Sequence, residues 1–320
     1  MCIPEFQLLL KHIEEDWRSL TDANEIEILT KYADNGRKLT IWYTCYVTFT
    51  TLMYLSLPLS PVVLNILSPL NESRRMELLF CTEYFVNETE YFYEILFYDY
   101  FIAILTVAVV IAADTMYIVY VEHACGIFAI VSYRLKNVGI DENYDLTYKN
   151  CVTREKDDDF YRVQDKKFYQ KLLSCVEKHK SVIEYVNLLQ TCYTESFIGV
   201  LLLNVICMSI TGVQTIINIH NLSDIFRFGF LTLGEAFHLF FLTLPGQRII
   251  DHSGRVFEDG YNSRWYVLST RCKRILSLIL LRSITPCQLM AGGLYAMKLE
   301  NYVSLIQTAM SYFTVLSSVR

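Results

Sequence analysis

Three Asn-x-Ser/Thr triplets, Asn71-Glu72-Ser73, Asn87-Glu88-Thr89 and Asn221-Leu222-Ser223, are acceptors for N-linked sugar, which is added only on the lumenal side of a membrane. Asp114, Glu235 and His238 stand inside otherwise apolar runs, where an ionisable group is costly and usually partnered. Two chemistries fit them, a proton or ion relay and an internal hydrogen-bonded pair, and the pair is the preferred reading. His123 and Cys125 lie close together with no further ligands at metal spacing. The ten cysteines show no CxxC pair or regular spacing, which argues against a zinc site or a disulfide framework. No metal or cofactor is therefore expected. Walker, GxGxxG, GxSxG and HExxH motifs are all missing, and Asp251-His252-Ser253 stops short of the Asp-His-His-Cys of membrane acyltransferases. The chain does not read as an enzyme. Its basic residues are spread along several segments rather than gathered in a patch, so no nucleic-acid partner is expected.

The elements that must position these residues are apolar runs long enough to cross a bilayer, which takes about 20 residues. Five are present, at 39–59, 96–121, 196–219, 225–245 and 299–319, the last less apolar with Ser, Thr, Gln and Asn interleaved. The composition agrees: 53% of the residues are apolar and only 19% charged, below the usual charge of soluble domains. The segments 1–38, 122–193 and 246–285 hold 5, 11 and 7 of the 28 Lys and Arg residues, whereas 60–95 and 220–227 hold only Arg74, Arg75 and Arg227. By the positive-inside rule the three basic segments are cytoplasmic and the other two outside. All three sequons fall in the outside loops. Cys81 is the one cysteine there, so no extracellular disulfide within the chain is expected. Five crossings put the N-terminus in the cytoplasm and the C-terminus outside, in a multi-pass protein of the plasma membrane.

The basic segments also carry helical patterns. Val163, Phe168, Leu172, Val176, Ile183, Val186 and Leu189 recur at helical spacing between charged residues, which predicts an amphipathic helix leading into the third run. Residues 263–285 place Trp265, Leu268, Ile275 and Ile279 opposite Arg271, Lys273 and Arg274. A helix lying on the membrane surface reads similarly, but two such helices favour a packed intracellular region. The expected fold class is all-α: a polytopic transmembrane helix bundle with an intracellular helical anchor region, the anchor helices at 246–297.

The stretches "YADNGRKLT" (32–40), "AADTMYIVYVEHACGIFAIVSYRL" (112–135) and "WYVLSTRCKRILSLILLRSITPCQLMAGGLYAMKLENYVSLIQTAMSYFTVL" (265–316) resemble the insect odorant receptors. The last is the most specific: a basic amphipathic helix, a Pro, a small-residue hinge, then Ser-Tyr-Phe. The resemblance implies seven helices with a cytoplasmic N-terminus, and "HIEEDW" resembles the loop before the family's third helix. The five runs then correspond to helices three to seven, and the first two are expected to be missing from this chain. It also implies an odorant-gated cation channel in olfactory signal transduction, a heterotetramer of tuning subunits and a shared odorant co-receptor. Small volatile ligands would bind within the outer half of the bundle, and the last helix would line the pore. The chain reads as a tuning subunit. A gustatory-type receptor channel is the alternative, and a secondary transporter a more distant one.

Val315, Ser318 and Val319 are spaced i, i+3, i+4 and share one face of the last run, with Ser311 a turn earlier. Matched to the family's ending, Val315 and Val319 fall on the hydrophobic gate and Ser318 beside it; a helix–helix seam would also suit such residues. For a ligand pocket the outer halves of the runs offer Thr50, Met53 and Tyr54, then Tyr100 and Ile104, then Phe230. Aromatic and thioether groups with an occasional hydroxyl suit small apolar ligands, as they also suit ordinary bundle core.

Overall fold

Long stretches of apolar residues at helical spacing, with Gly and Pro scarce, leave the backbone one economical choice, the α-helix. A computed structural model describes residues 3–59, 61, 78–79, 84–86, 90–140, 158–217 and 222–318. Among them are seven α-helices: α1 (Ile3–Ser19), α2 (Ala23–Ser56), α3 (Phe92–Lys136), α4 (Asp158–Ile217), α5 (Leu222–Tyr261), α6 (Thr270–Ser283) and α7 (Leu299–Ser318). Short 3-10 turns at Leu57–Leu59 and Trp265–Val267 follow α2 and precede α6. The Asp22 carboxylate receives the Asn24 amide at the start of α2, and Ser269 receives that of Cys272 at the start of α6, satisfying donors that a helix start leaves open.

Among the described residues three helices are long and apolar enough to cross a membrane: α3, α4 over Arg162–Ile217, and α5 over Ile225–Tyr261. The runs at 39–59 and 299–319 are also helical, within α2 and α7. Interleaved Thr, Ser and Tyr keep them out of the most apolar group.

The chain divides into two compact units. The first comprises 1–37, 119–201 and 242–303, the second 38–118, 202–241 and 304–320. In the first, α4 buries Phe168, Leu172, Cys175, His179, Val182 and Leu189 at steps of three, four and seven residues. Of the positions its spacing picks out, Phe168, Leu172, Val186 and Leu189 are buried, Val176 and Ile183 half-buried, and Val163 exposed. Buried polar pairs then join the helices. Glu25 of α2 takes two bonds from Arg134 of α3, at 2.6 and 2.7 Å. Asp16 of α1 meets Lys178 of α4 at 2.6 Å and His123 of α3 at 2.9 Å. Glu122 of α3 pairs with Arg248 of α5, and His252 of α5 meets the Tyr32 hydroxyl of α2 at 2.8 Å. Charges this deep are stable only when paired, so each pair fixes which helix faces which.

Two details differ from the sequence reading of 246–297. The buried face of α6 carries Cys272, Leu276, Ile279 and Ser283, with Leu268 buried just before the helix, whereas Trp265 is exposed and Ile275 only half-buried. The 3-10 turn at Trp265–Val267 ends before α6 begins, so Trp265 is out of phase with the helix. The expected hinge is a small hairpin, with Met290–Ala291 (β1) antiparallel to Tyr295–Ala296 (β2). Gly292 and Gly293 turn it with φ of 58° and 68°, a left-handed pair that glycine adopts without strain. Gln190 of α4 bonds both the amide and the carbonyl of Met290, docking the hairpin. In α5, Pro245 removes one helical hydrogen bond, and a Cβ on Gly246 would sit 2.1 Å from the Met297 carbonyl oxygen. Only glycine fits there.

Candidate functional site

Within the second unit, the C-terminal end of α2, the first third of α3 and the first half of α5 line a half-open cavity of about 690 Å³. That volume lies in the range of small-molecule sites. Met53, Leu55, Ile102, Val107, Phe226 and Phe230 give it an apolar wall. Polar atoms enter from Thr50, Thr51, Tyr54, Ser56, Thr106 and Glu235. The hydroxyls on α2 are held locally: Thr50 donates to the Tyr46 and Val47 carbonyls, Thr51 to Val47 and Ser56 to Met53. Tyr54 donates to the Leu79 carbonyl at 3.2 Å.

Of the pocket residues expected from sequence, Thr50, Met53, Tyr54 and Phe230 line this cavity together. Tyr100 and Ile104 do not. Tyr100 turns its hydroxyl to the Leu55 carbonyl at 2.8 Å, and Ile104 is 57% exposed. Ile102, Ala103, Thr106 and Val107 face the cavity instead, a face of α3 about half a turn from Ile104. Sequence spacing fixed which residues share a face of α3 but not which face turns inward.

A polar cluster lies in the same unit. The Asp114 carboxylate of α3 accepts from the Tyr43 hydroxyl of α2 and lies 3.1 Å from His238 Nε2 of α5. His238 Nδ1 is 3.4 Å from Asn204 Oδ1 of α4. Four helices therefore meet through one set of polar groups, and the partner of Asp114 is His238. Glu235, one turn from His238, belongs to the cavity wall. Tyr43 and Asn204 escaped the sequence reading, since neither residue type marks an internal pair until a partner on another helix is known. Among the described residues no three His, Cys, Asp or Glu side chains could hold a metal ion.

In α7, Ser304, Thr308, Ser311 and Val315 form an exposed stripe at steps of four, three and four residues. Val315 is 58% exposed. Ser318 ends the helix. Val319, Cys81 and the sequon residues Asn71, Asn87 and Asn221 lie outside the described residues.

The sequence profile of the 7tm Odorant receptor family matches residues 2–310. The chain belongs to that family. The family is one of receptors, not enzymes, and the chain is a multi-pass membrane protein. Among curated relatives, odorant receptor 10 of Aedes albopictus is 25% identical over 150 residues, 46% of this chain and 39% of the relative. The odorant receptor coreceptor of Aedes aegypti is 23% identical over 146 residues, 45% of this chain and 30% of the relative. The chain thus aligns with less than half the length of these relatives. Its fold is similar to that of the insect olfactory receptor OR5 from Machilis hrabei, solved in complex with eugenol. The TM-score is 0.66 at 13% identity, over 91% of this chain and 70% of that one. A second structure of the same receptor gives 0.61 at 16% identity, over 100% of this chain and 77% of that one.

Proposed function

We propose that this chain is a tuning subunit of an odorant-gated cation channel that acts with an odorant co-receptor in olfactory transduction. The observation that carries the proposal is the apolar cavity between α2, α3 and α5 in a chain of the odorant receptor family. A volatile ligand gains by leaving water for such a wall, at about 25 cal/mol per Å² of apolar surface buried, and a few polar atoms orient it. The stripe on α7 supports a pore-lining role. Thr308 and Ser311 donate to the Ser304 and Gln307 carbonyls of their own helix, so this face offers its surroundings hydroxyl lone pairs, which suit water or a partner subunit better than lipid. Val315, with Ser318 and Val319 beyond it, would then form a hydrophobic constriction that excludes water when closed. The assembly proposed is a heterotetramer with the co-receptor.

Whole-cell recording from cells expressing the chain with a co-receptor tests this. A panel of small volatiles should evoke cation currents that the co-receptor alone does not give, and Phe230→Ala should shift the dose–response at least about tenfold to higher concentration. Currents identical to those of the co-receptor alone would overturn the reading.

A further inference from the structure

We propose that the cavity between α2, α3 and α5 selects small molecules with an apolar body and one hydrogen-bond donor, an O–H or N–H, which the Glu235 carboxyl receives. This rests on reading that cavity as the ligand site. It goes further in fixing the chemical class of the ligand.

The argument is a count of donors and acceptors on the wall. Helical backbone amides are already bonded within their helices. The hydroxyl protons of Thr50, Thr51, Tyr54 and Ser56 point at backbone carbonyls, so these groups offer a ligand only oxygen lone pairs. Thr106, with no partner among the described residues, can act either way and does not discriminate. Glu235 is different. Its side chain lines the cavity, and no hydrogen bond to its carboxyl is found among the described residues. His238, one turn on, cannot serve it, because both its ring nitrogens already face Asn204 and Asp114. Glu235 is half-buried, and a carboxylate left unmatched against an apolar wall is costly. A ligand O–H or N–H pairs with the carboxylate, whereas an ether has no donor for it and pairs only with a protonated carboxyl, so the preference belongs to the ionised group. Sites built around such a bond reject analogues that lack the donor far more strongly than those that lack a methylene. An alcohol and a protonated amine share this chemistry, and the amine adds charge to the bond.

The test uses three probes of matched size: hexan-1-ol, its isomer 1-methoxypentane, and hexan-1-amine. Each is titrated against the purified full chain in detergent micelles, and affinity is read from the shift in thermal unfolding midpoint. The alcohol and the amine should bind at least about tenfold more tightly than the ether. Glu235→Leu should bring all three within about threefold of one another. Glu235→Gln, which keeps an acceptor oxygen but not a charge, should retain the alcohol and weaken the amine; its helical circular dichroism, matched to the parent chain, excludes misfolding as the cause. Phe230→Ala should weaken all three alike. Equal binding of ether and alcohol, an unaltered preference in Glu235→Leu, or no binding of any probe overturns the proposal. Currents recorded with the co-receptor separate it from the receptor reading. Donor-selective binding without current removes the channel and keeps the ligand class, whereas equal currents from ether and alcohol do the reverse.

Discussion

At the scale of single residues, His179 shows how burial turns a composition into a pH response. It lies on the inner face of α4 beside the Phe128 ring. Burial and the nearby Arg282 charge hold its imidazole down to about 4 from an ordinary 6.5. The folded chain therefore binds a proton less readily than the unfolded one, and the stability that neutral His179 contributes is complete above about pH 6.5 and lost as the pH falls toward 4. Asp16 adds to the trend at lower pH. Burial opposes its ionisation, but the bonds from His123 and Lys178 outweigh this and hold its carboxyl below the usual value. Stability linked to Asp16 is lost as the pH falls below 3.8. Between about pH 7.5 and about pH 5 only His179 of the two should matter, contributing a loss on the order of 2 kcal/mol in the detergent-purified chain. His252, which burial also holds below its ordinary value, adds to the fall in the same sense, so His179→Phe should reduce the fall in unfolding midpoint across that interval without abolishing it. A parallel fall in the variant would show that some other group titrates.

At the scale of elements, α7 has the feature most exposed to test. The exposed Val315 follows the hydroxyl stripe on one face. If that face borders the ion path, Val315→Gln eases hydration of the closed constriction and should raise ligand-free current several-fold at normal surface expression. The rise should be partial, since the co-receptor supplies other gate residues. Unchanged basal current would make the face a packing seam. The helices themselves were legible in the sequence, because 3.6-residue spacing is a local property: of the positions it picks out on α4, Phe168, Leu172, Val186 and Leu189 are buried and Val176 and Ile183 half-buried. What crosses between helices was not legible. Asp114 and His238 are 124 positions apart and meet only once α3 and α5 are set in register. The inward face of α3 likewise depends on its neighbours, so Tyr100 and Ile104 read as pocket residues where Thr106 and Val107 stand. The hairpin was hidden for another reason: strands of two residues are too short to show alternation.

At the scale of the whole molecule, the open question is how many helices cross the bilayer, and α2 is where the answer turns. It is less apolar than α3, α4 and α5, yet lipid would meet little of its polarity. Exposed on it within 39–59 are Ile41, Trp42, Phe49 and Leu52, with Trp42 at 73%, against two hydroxyl residues, Thr48 and Ser56, of which Ser56 bonds the Met53 carbonyl. Its other polar groups are bonded inward, Tyr43 to Asp114 and Thr50 and Thr51 to backbone carbonyls. A helix that internalises its hydroxyls in this way can span at modest cost. Two topologies then compete. If α2 crosses, the N-terminus is cytoplasmic, Asn87 is lumenal during synthesis, and 141–159 is cytoplasmic. If α2 does not cross but α3 does, the basic segment 122–193 still anchors inside, so Asn87 stays lumenal and the N-terminus moves outside. Glycan on Asn87 alone does not separate them, but an N-terminal epitope read with it does. We expect Asn87→Gln to remove one glycan from the expressed chain. The N-terminal tag and an epitope within 141–159 should both bind antibody only after permeabilisation. A tag that binds on intact cells would put α2 on one side of the bilayer, and surface access to 141–159 would reverse the orientation altogether.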